Sequence, residues 1–132
     1  MKPDPICLAL VICEAVHLHP FTGNRTILGT FNYIHSDSFP HKHSMFSVYV
    51  ALTDCYPPFD LTFRITDSDG SAIPANVRGV VTEGSDPLEI VEFQFGIQDV
   101  EFSVPGTYHC QLLTESGVIF ERRLIVLDSS KI

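Results

Sequence analysis

The sequence predicts an all-β sandwich of seven to nine strands, folded as a single domain over residues 1–132, and three observations lead there. Short runs in which apolar and polar residues alternate recur along the chain. Turn residues interrupt these runs about every eight to twelve positions, the spacing of a sandwich. No segment carries a convincing amphipathic helical stripe. A length of 132 residues is enough for one domain to bury a core of its own.

The apolar run Ile6 to Cys13 opens the first strand. A helix from Asp4 to His19 is the alternative, with Asp4 as N-cap, Pro5 as first helical residue and Pro20 as terminator. Against it stand β-branched Ile6, Val11, Ile12 and Val16 and the lack of a 3.6-residue stripe. Pro20 to Arg25 is a turn cluster in which Gly23-Asn24 suits a hairpin, because glycine accepts a positive φ. The return strand is Thr26 to His35, followed by a His-rich polar loop, Ser36 to Ser44, broken by Pro40. Met45 to Thr53 alternates cleanly and points Phe46, Val48, Val50 and Leu52 inward.

Pro57-Pro58 marks the corner from Cys55 to Phe59, and Asp60 to Thr66 alternates again with Leu61, Phe63 and Ile65 inward. Asp67 to Gly70 is a tight turn. Ser71 to Pro87 is the least regular stretch and holds one short strand around Val77 to Thr82. Leu88 to Phe95 sets Val91, Phe93 and Phe95 on one face, and Val100, Phe102 and Val104 resume after a kink near Gly96. Thr107 to Leu113 and Val118 to Leu127 form a closing hairpin around Glu115-Ser116-Gly117. From these parities the core should contain Ile27, Phe31, Val48, Val50, Phe63, Phe93, Tyr108, Cys110 and Leu112.

In Pro105-Gly106-Thr107-Tyr108-His109-Cys110 a tyrosine stands two residues before a cysteine, just after a Pro-Gly turn. This resembles the tyrosine corner of immunoglobulin-like sandwiches, whose hydroxyl bonds back to the corner's backbone, and implies an immunoglobulin-like antiparallel β-sandwich. The chain has no tryptophan, so the core tryptophan of true immunoglobulin domains is missing. Glu14-Ala15-Val16, Thr26 to Phe31, Phe39-Pro40, the Asp67 to Gly70 turn and Pro105 to Tyr108 together resemble a bacterial family of small all-β proteins of unknown function. That resemblance implies a β-sandwich and no established activity. The insert Pro20 to Gly23 is longer than the turn the family leads one to expect.

Sixteen acidic and eight basic residues give a net charge of −8, and only Arg122-Arg123 are adjacent bases. Nucleic acid and anionic membrane surfaces both call for clustered Lys and Arg, so both are disfavoured as partners. At the N-terminus, Pro3, Asp4 and Pro5 break the pattern of an export signal and Glu14 ends the apolar run. Eight apolar residues cannot span a bilayer. A cytoplasmic location is expected, with Cys7, Cys13, Cys55 and Cys110 as reduced thiols, since no metal-knuckle or disulfide-framework spacing links them.

The His35 to His43 loop is the densest group of potential metal ligands, and His-x-His occurs twice, at His17/His19 and His41/His43. Two imidazoles two positions apart on a strand share a face and can reach one metal. His35, Asp37, His41 and His43 are therefore the candidate metal ligands for zinc or another transition metal, against the plainer alternative of a solvated polar loop. His109-Cys110 cannot be a nucleophilic dyad, because neighbours on a strand point to opposite faces. Asp67-Ser68-Asp69-Gly70 starts like a calcium loop but lacks the later acids, which favours a turn. Glu83, Asp86, Glu89 and Glu92 are expected to form a solvated acidic face.

Two classes of function follow. The first is a non-enzymatic protein-binding or scaffold module with no catalytic residues and no cofactor, presenting loops or an edge strand to a protein partner or to itself as a homo-oligomer. A mean hydropathy of +0.18 and ten phenylalanines in so short a chain point that way. The alternative is a metal-binding β protein, or a metal-dependent enzyme, built on the His35 to His43 loop.

Overall fold

The computed structural model describes residues 2–131. Nine strands follow in order: β1 (Ile6–Leu18), β2 (Arg25–Thr30), β3 (Tyr33–Ser36), β4 (His41–Thr53), β5 (Phe59–Asp67), β6 (Ala75–Val81), β7 (Val91–Phe102), β8 (Gly106–Thr114) and β9 (Gly117–Asp128). A single 3-10 turn, Ser129–Lys131, ends the described chain. The strands form two sheets, a four-stranded one in the order β2-β1-β4-β7 and a five-stranded one in the order β3-β9-β8-β5-β6. Every pairing is antiparallel except that of β3 with β9, which is parallel.

β1 runs through to Leu18, longer than its apolar core, because its second half pairs with β2 in a hairpin around Gly23 at φ 75°. The expected single strand Thr26 to His35 is two strands in different sheets. The chain leaves the first sheet after Thr30 and enters the second at Tyr33, so β2 lies beside β1 and β3 beside β9. Ser36 to Ser44 is likewise shorter as a loop than expected. β4 already begins at His41, paired with Phe102, because a neighbouring strand is available to accept its backbone.

Phe46, Val48, Val50 and Leu52 are fully buried, as are Phe63, Ile65, Cys110, Leu112, Leu124 and Val126 from the opposite sheet. Phe31 and Phe93 are half-buried and pack against this core. Ile27, expected inside, is only half-buried, on β2 at the edge of its sheet. β4 and β7 stay in one register from His41↔Phe102 to Leu52↔Val91, yet the inward face changes parity along both. Phe46 and Ile97 are inward at one side of the change, and Val100 and Phe102 at the other. Asp99, at φ 56°, sits at the crossover, so the bend expected near Gly96 lies three residues later. Val104 falls beyond β7 and is exposed.

At the start of β8 the Tyr108 hydroxyl donates to the Val104 carbonyl at 2.6 Å while the ring is 3% exposed and meets Phe102 edge-on at 4.9 Å. This is the tyrosine corner, placed on the strand before the last, with β9-β8-β5 facing β1-β4-β7 across one core. The architecture is an immunoglobulin-like sandwich. Val104 is exposed, so water can replace the lost donor in Tyr108→Phe, and that variant should lose about 1 kcal/mol in urea unfolding. Tyr108→Ala removes a buried ring and should lose about 3–5 kcal/mol. A Tyr108→Phe midpoint equal to wild type would mean that the corner hydrogen bond contributes nothing.

Candidate functional site

The early start of β4 brings His41 and His43 onto the inward-facing parity of the strand. Their rings lie side by side, with His41 Nε2 and His43 Nδ1 3.4 Å apart. His43 also packs against Phe31 at 5.9 Å and Phe46 at 5.7 Å between centroids. Burial holds its pKa below the ordinary 6.5, and the neighbouring His41 lowers it further, because a charged imidazole there would lose water and face a second ring. His35 is exposed on β3, paired with Leu127, and Asp37 is exposed in the following turn. Among the described residues no three His, Cys, Asp or Glu side chains converge tightly enough to hold a metal. The structure thus unites His41 with His43 and leaves His35 and Asp37 apart from them.

The second His-x-His pair is divided. His17 is exposed on β1, while His19 Nδ1 accepts the backbone N–H groups of Phe21 and Thr22 at 3.2 Å each and so fastens the hairpin turn. Asp67 to Gly70 is a turn, as expected: the Gly70 N–H donates to the Asp67 carbonyl at 3.2 Å, and the Ser71 hydroxyl donates to Asp67 and Asp69. Cys110 is fully buried, and burial pushes its thiol up to about 12, far from a nucleophile at neutral pH. His109 faces the other way and lies 3.5 Å from the Glu121 carboxylate. All four cysteines are free thiols.

The four acids of the irregular segment have separate tasks. Asp86 accepts from the Leu88 N–H at 2.9 Å, and Glu89 from the Ser85 N–H at 3.2 Å, both shaping the loop between β6 and β7. Glu92 accepts from the Tyr49 hydroxyl and pairs with Arg25 at 3.5 Å. Burial and the Glu92 carboxylate push the Tyr49 phenol up to about 12. Glu83 makes no hydrogen bond or ion pair with the described residues.

One concavity was not anticipated from the sequence. A groove of about 500 Å³ opens between β6 and β7, the edge strands of the two sheets on one side of the sandwich. Leu61, Phe63, Val91, Phe93, Phe95 and Leu112 line its apolar wall, and Arg25, Arg78, Glu83 and Glu92 stand at its rim. Val80 on β6 is 61% exposed, and Leu88 and Ile90 in the adjoining loop are 83% and 58% exposed. β6 pairs with β5 in an unbroken register and has no strand on its other side. A signal was present in Ala75-Asn76-Val77-Arg78-Gly79-Val80-Val81, a strand without Pro, Lys or bulge, but whether it lies at an edge is decided by topology.

A family model described as a family of unknown function, DUF6941, matches residues 8–127. Comparison with the curated proteins finds no match. Among solved structures, an immunoglobulin-like protein from Pseudomonas aeruginosa aligns with 12% identity and a TM-score of 0.48, over 96% of this chain and 98% of its own. A candidate ApaA protein from Bordetella pertussis aligns with 20% identity and a TM-score of 0.36, over 94% and 98%.

The state of His43 has a measurable consequence. Its folded pKa lies below its unfolded one, so the unfolded chain takes up the proton first as pH falls. Its contribution is fully present above about pH 6.5 and is lost as pH drops toward the folded value. Urea midpoints of the wild type should therefore fall more steeply between about pH 7 and pH 5 than those of His43→Leu, which cannot titrate. Parallel slopes would show that His43 titrates as freely in the folded protein as in the unfolded chain.

Proposed function

The chain belongs to DUF6941, a family of unknown function, and from that premise we propose that it is a non-enzymatic module that binds protein by adding a strand at the open β6–β7 edge. The observation that carries this reading is the conjunction of an edge strand, β6, paired on one side only, with an apolar groove beside it. Strand addition draws affinity from main-chain hydrogen bonds and specificity from pockets for alternate side chains. Here β6 supplies the first, and the wall of Phe63, Phe93 and Phe95 supplies the second. Burial pushes the Cys110 thiol up to about 12, and Asp86 and Glu89 accept hydrogen bonds from the loop backbone.

A second reading is favoured by one contact, the 3.4 Å approach of His41 and His43. Two imidazoles on one strand face can chelate zinc or another transition metal, with the remaining positions filled by water or a partner. Metal analysis of protein purified without an affinity tag separates the two readings. Stoichiometric zinc, iron or copper lost in the His41→Ala/His43→Ala double variant would favour the metal reading.

For the binding reading, a photo-crosslinking amino acid at Val80 should give discrete protein adducts in the source cells, and the same group at exposed Phe21 should give none. Equal labelling from the two positions, or none from Val80, would remove the β6 edge as a recognition surface.

A further inference from the structure

We infer that the strand added to β6 carries an aromatic residue facing Gly79 and, next to it in sequence, an acidic residue facing Arg78. The inference rests on the strand-addition reading above and states the chemistry of the partner segment.

Glycine weakens the interior of a strand, and where one sits there it marks a bulge, a bend or the close approach of a ligand or another backbone. β6 pairs with β5 in unbroken register from Phe59↔Val81 to Ile65↔Ala75, so Gly79 is not at a bulge, and its φ is not positive. A Cβ added at Gly79 would meet nothing within 4 Å, so crowding does not call for glycine either. Gly79 lies on the inward face of β6 between Val77 and Val81 and across from buried Leu61, and all four residues line the groove. The missing side chain opens the groove to a neighbour on the free side of β6. A residue directly across from Gly79 on an added strand shares its face and points into the groove. An aromatic ring there covers the glycine and extends the cluster in which Phe95 meets Phe63 edge-on at 5.5 Å and stacks with Phe93 at 6.4 Å.

Arg78 points the opposite way. It is exposed on the outward face, its neighbour on β5 is the neutral Thr62, and it forms no hydrogen bond or ion pair with the described residues. On the other side of β6 there is no strand. A residue across from Arg78 on an added strand shares the outward face, where Asp or Glu makes an opposite-charge cross-strand pair. Successive residues of a strand alternate faces, so the aromatic residue and the acid are neighbours in the partner's sequence. In antiparallel addition the acid follows the aromatic residue, and an apolar residue before it meets Val80, which is 61% exposed. The net charge of −8 disfavours a longer acidic run.

Fluorescence anisotropy with a labelled synthetic peptide containing Thr-Val-Val-Phe-Glu-Val-Thr tests this. Wild type should bind it with a Kd below about 1 mM, and exchanging the peptide's Phe for Ala, or its Glu for Lys, should weaken binding about tenfold or more. Arg78→Glu should weaken the parent peptide by a similar factor and bind the Lys-containing peptide to within about threefold of the original pairing. Gly79→Val should unfold at higher urea than wild type, because valine favours a strand and has room there, and yet bind the parent peptide about tenfold more weakly. No binding below about 1 mM overturns the inference, as does an affinity indifferent to the Phe, the Glu or the Gly79→Val change. Tighter binding by Arg78→Ala overturns it too, since Arg78 would then be a charge that repels other edges. In each of these cases strand addition stands if Val80 still crosslinks to protein, and falls with the inference if Val80 crosslinks to nothing.

Discussion

Two residues, Phe31 and Asn32, tie the sandwich shut along one side. The Phe31 N–H donates to the Ile12 carbonyl at 3.1 Å in the four-stranded sheet, and the Asn32 carbonyl accepts the Ile125 N–H at 3.0 Å in the five-stranded one. Arg122, on β9, completes the tie by donating to the Leu10 carbonyl and to Asn32 Oδ1. A chain that leaves one sheet for another exposes backbone groups that must find partners, and here each neighbouring strand supplies one. The planar guanidinium suits the task because it presents several donors in fixed directions and stays charged. The parallel β3–β9 pairing follows from this crossing, since β3 reaches β9 without reversing direction.

The opposite side has no such tie. The chain passes from β6 to β7 through the loop 82–90, and the gap beside it is bordered by aromatic side chains: Phe95 meets Phe63 edge-on at 5.5 Å and stacks with Phe93 at 6.4 Å. The tip of the β1–β2 hairpin reaches this side through Arg25, whose Nε donates to Gln94 at 2.7 Å, so that β7 is partly screened. β6 has no comparable cover. The asymmetry therefore lies in the backbone and guanidinium hydrogen bonds around Phe31, Asn32 and Arg122, which join the two sheets at that flank.

Alternation made the central strands legible. Phe46, Val48, Val50 and Leu52 on one strand, and Leu61, Phe63 and Ile65 on the other, share one parity and are buried. The tyrosine corner was legible because its requirement is local: a hydroxyl four residues from its acceptor. Thr26 to His35 misled because a strand that changes sheet keeps the composition of a strand, while the crossing at Asn32 is fixed by contacts with β1 and β9 distant in sequence. His41 and His43 were placed in a loop for a related reason. Polar residues after Pro40 look like a loop until β7 offers a partner, and His43 then packs against Phe31 and Phe46 with His41 beside it. The groove was illegible because no residue in it is unusual; its existence depends on which strands end the sheets.

The thiols show how far stability and recognition are separated in this molecule. Cys110 stands two residues after Tyr108, the position that carries a disulfide in antibody domains, but here it is a free thiol buried in the core. Its sulfur acts as a small apolar group, and the same holds for Cys13, whose Sγ donates weakly to the Ser47 carbonyl at 3.6 Å. With no covalent tie between the sheets, their hold on each other comes from packing and from the Phe31–Asn32–Arg122 closure. The residues of the open edge, Arg78, Val80, Leu88 and Ile90, take no part in either. Substitution there leaves the packing of the sandwich intact, whereas substitution at Asn32 or Arg122 disturbs the hydrogen bonds that join its two sheets.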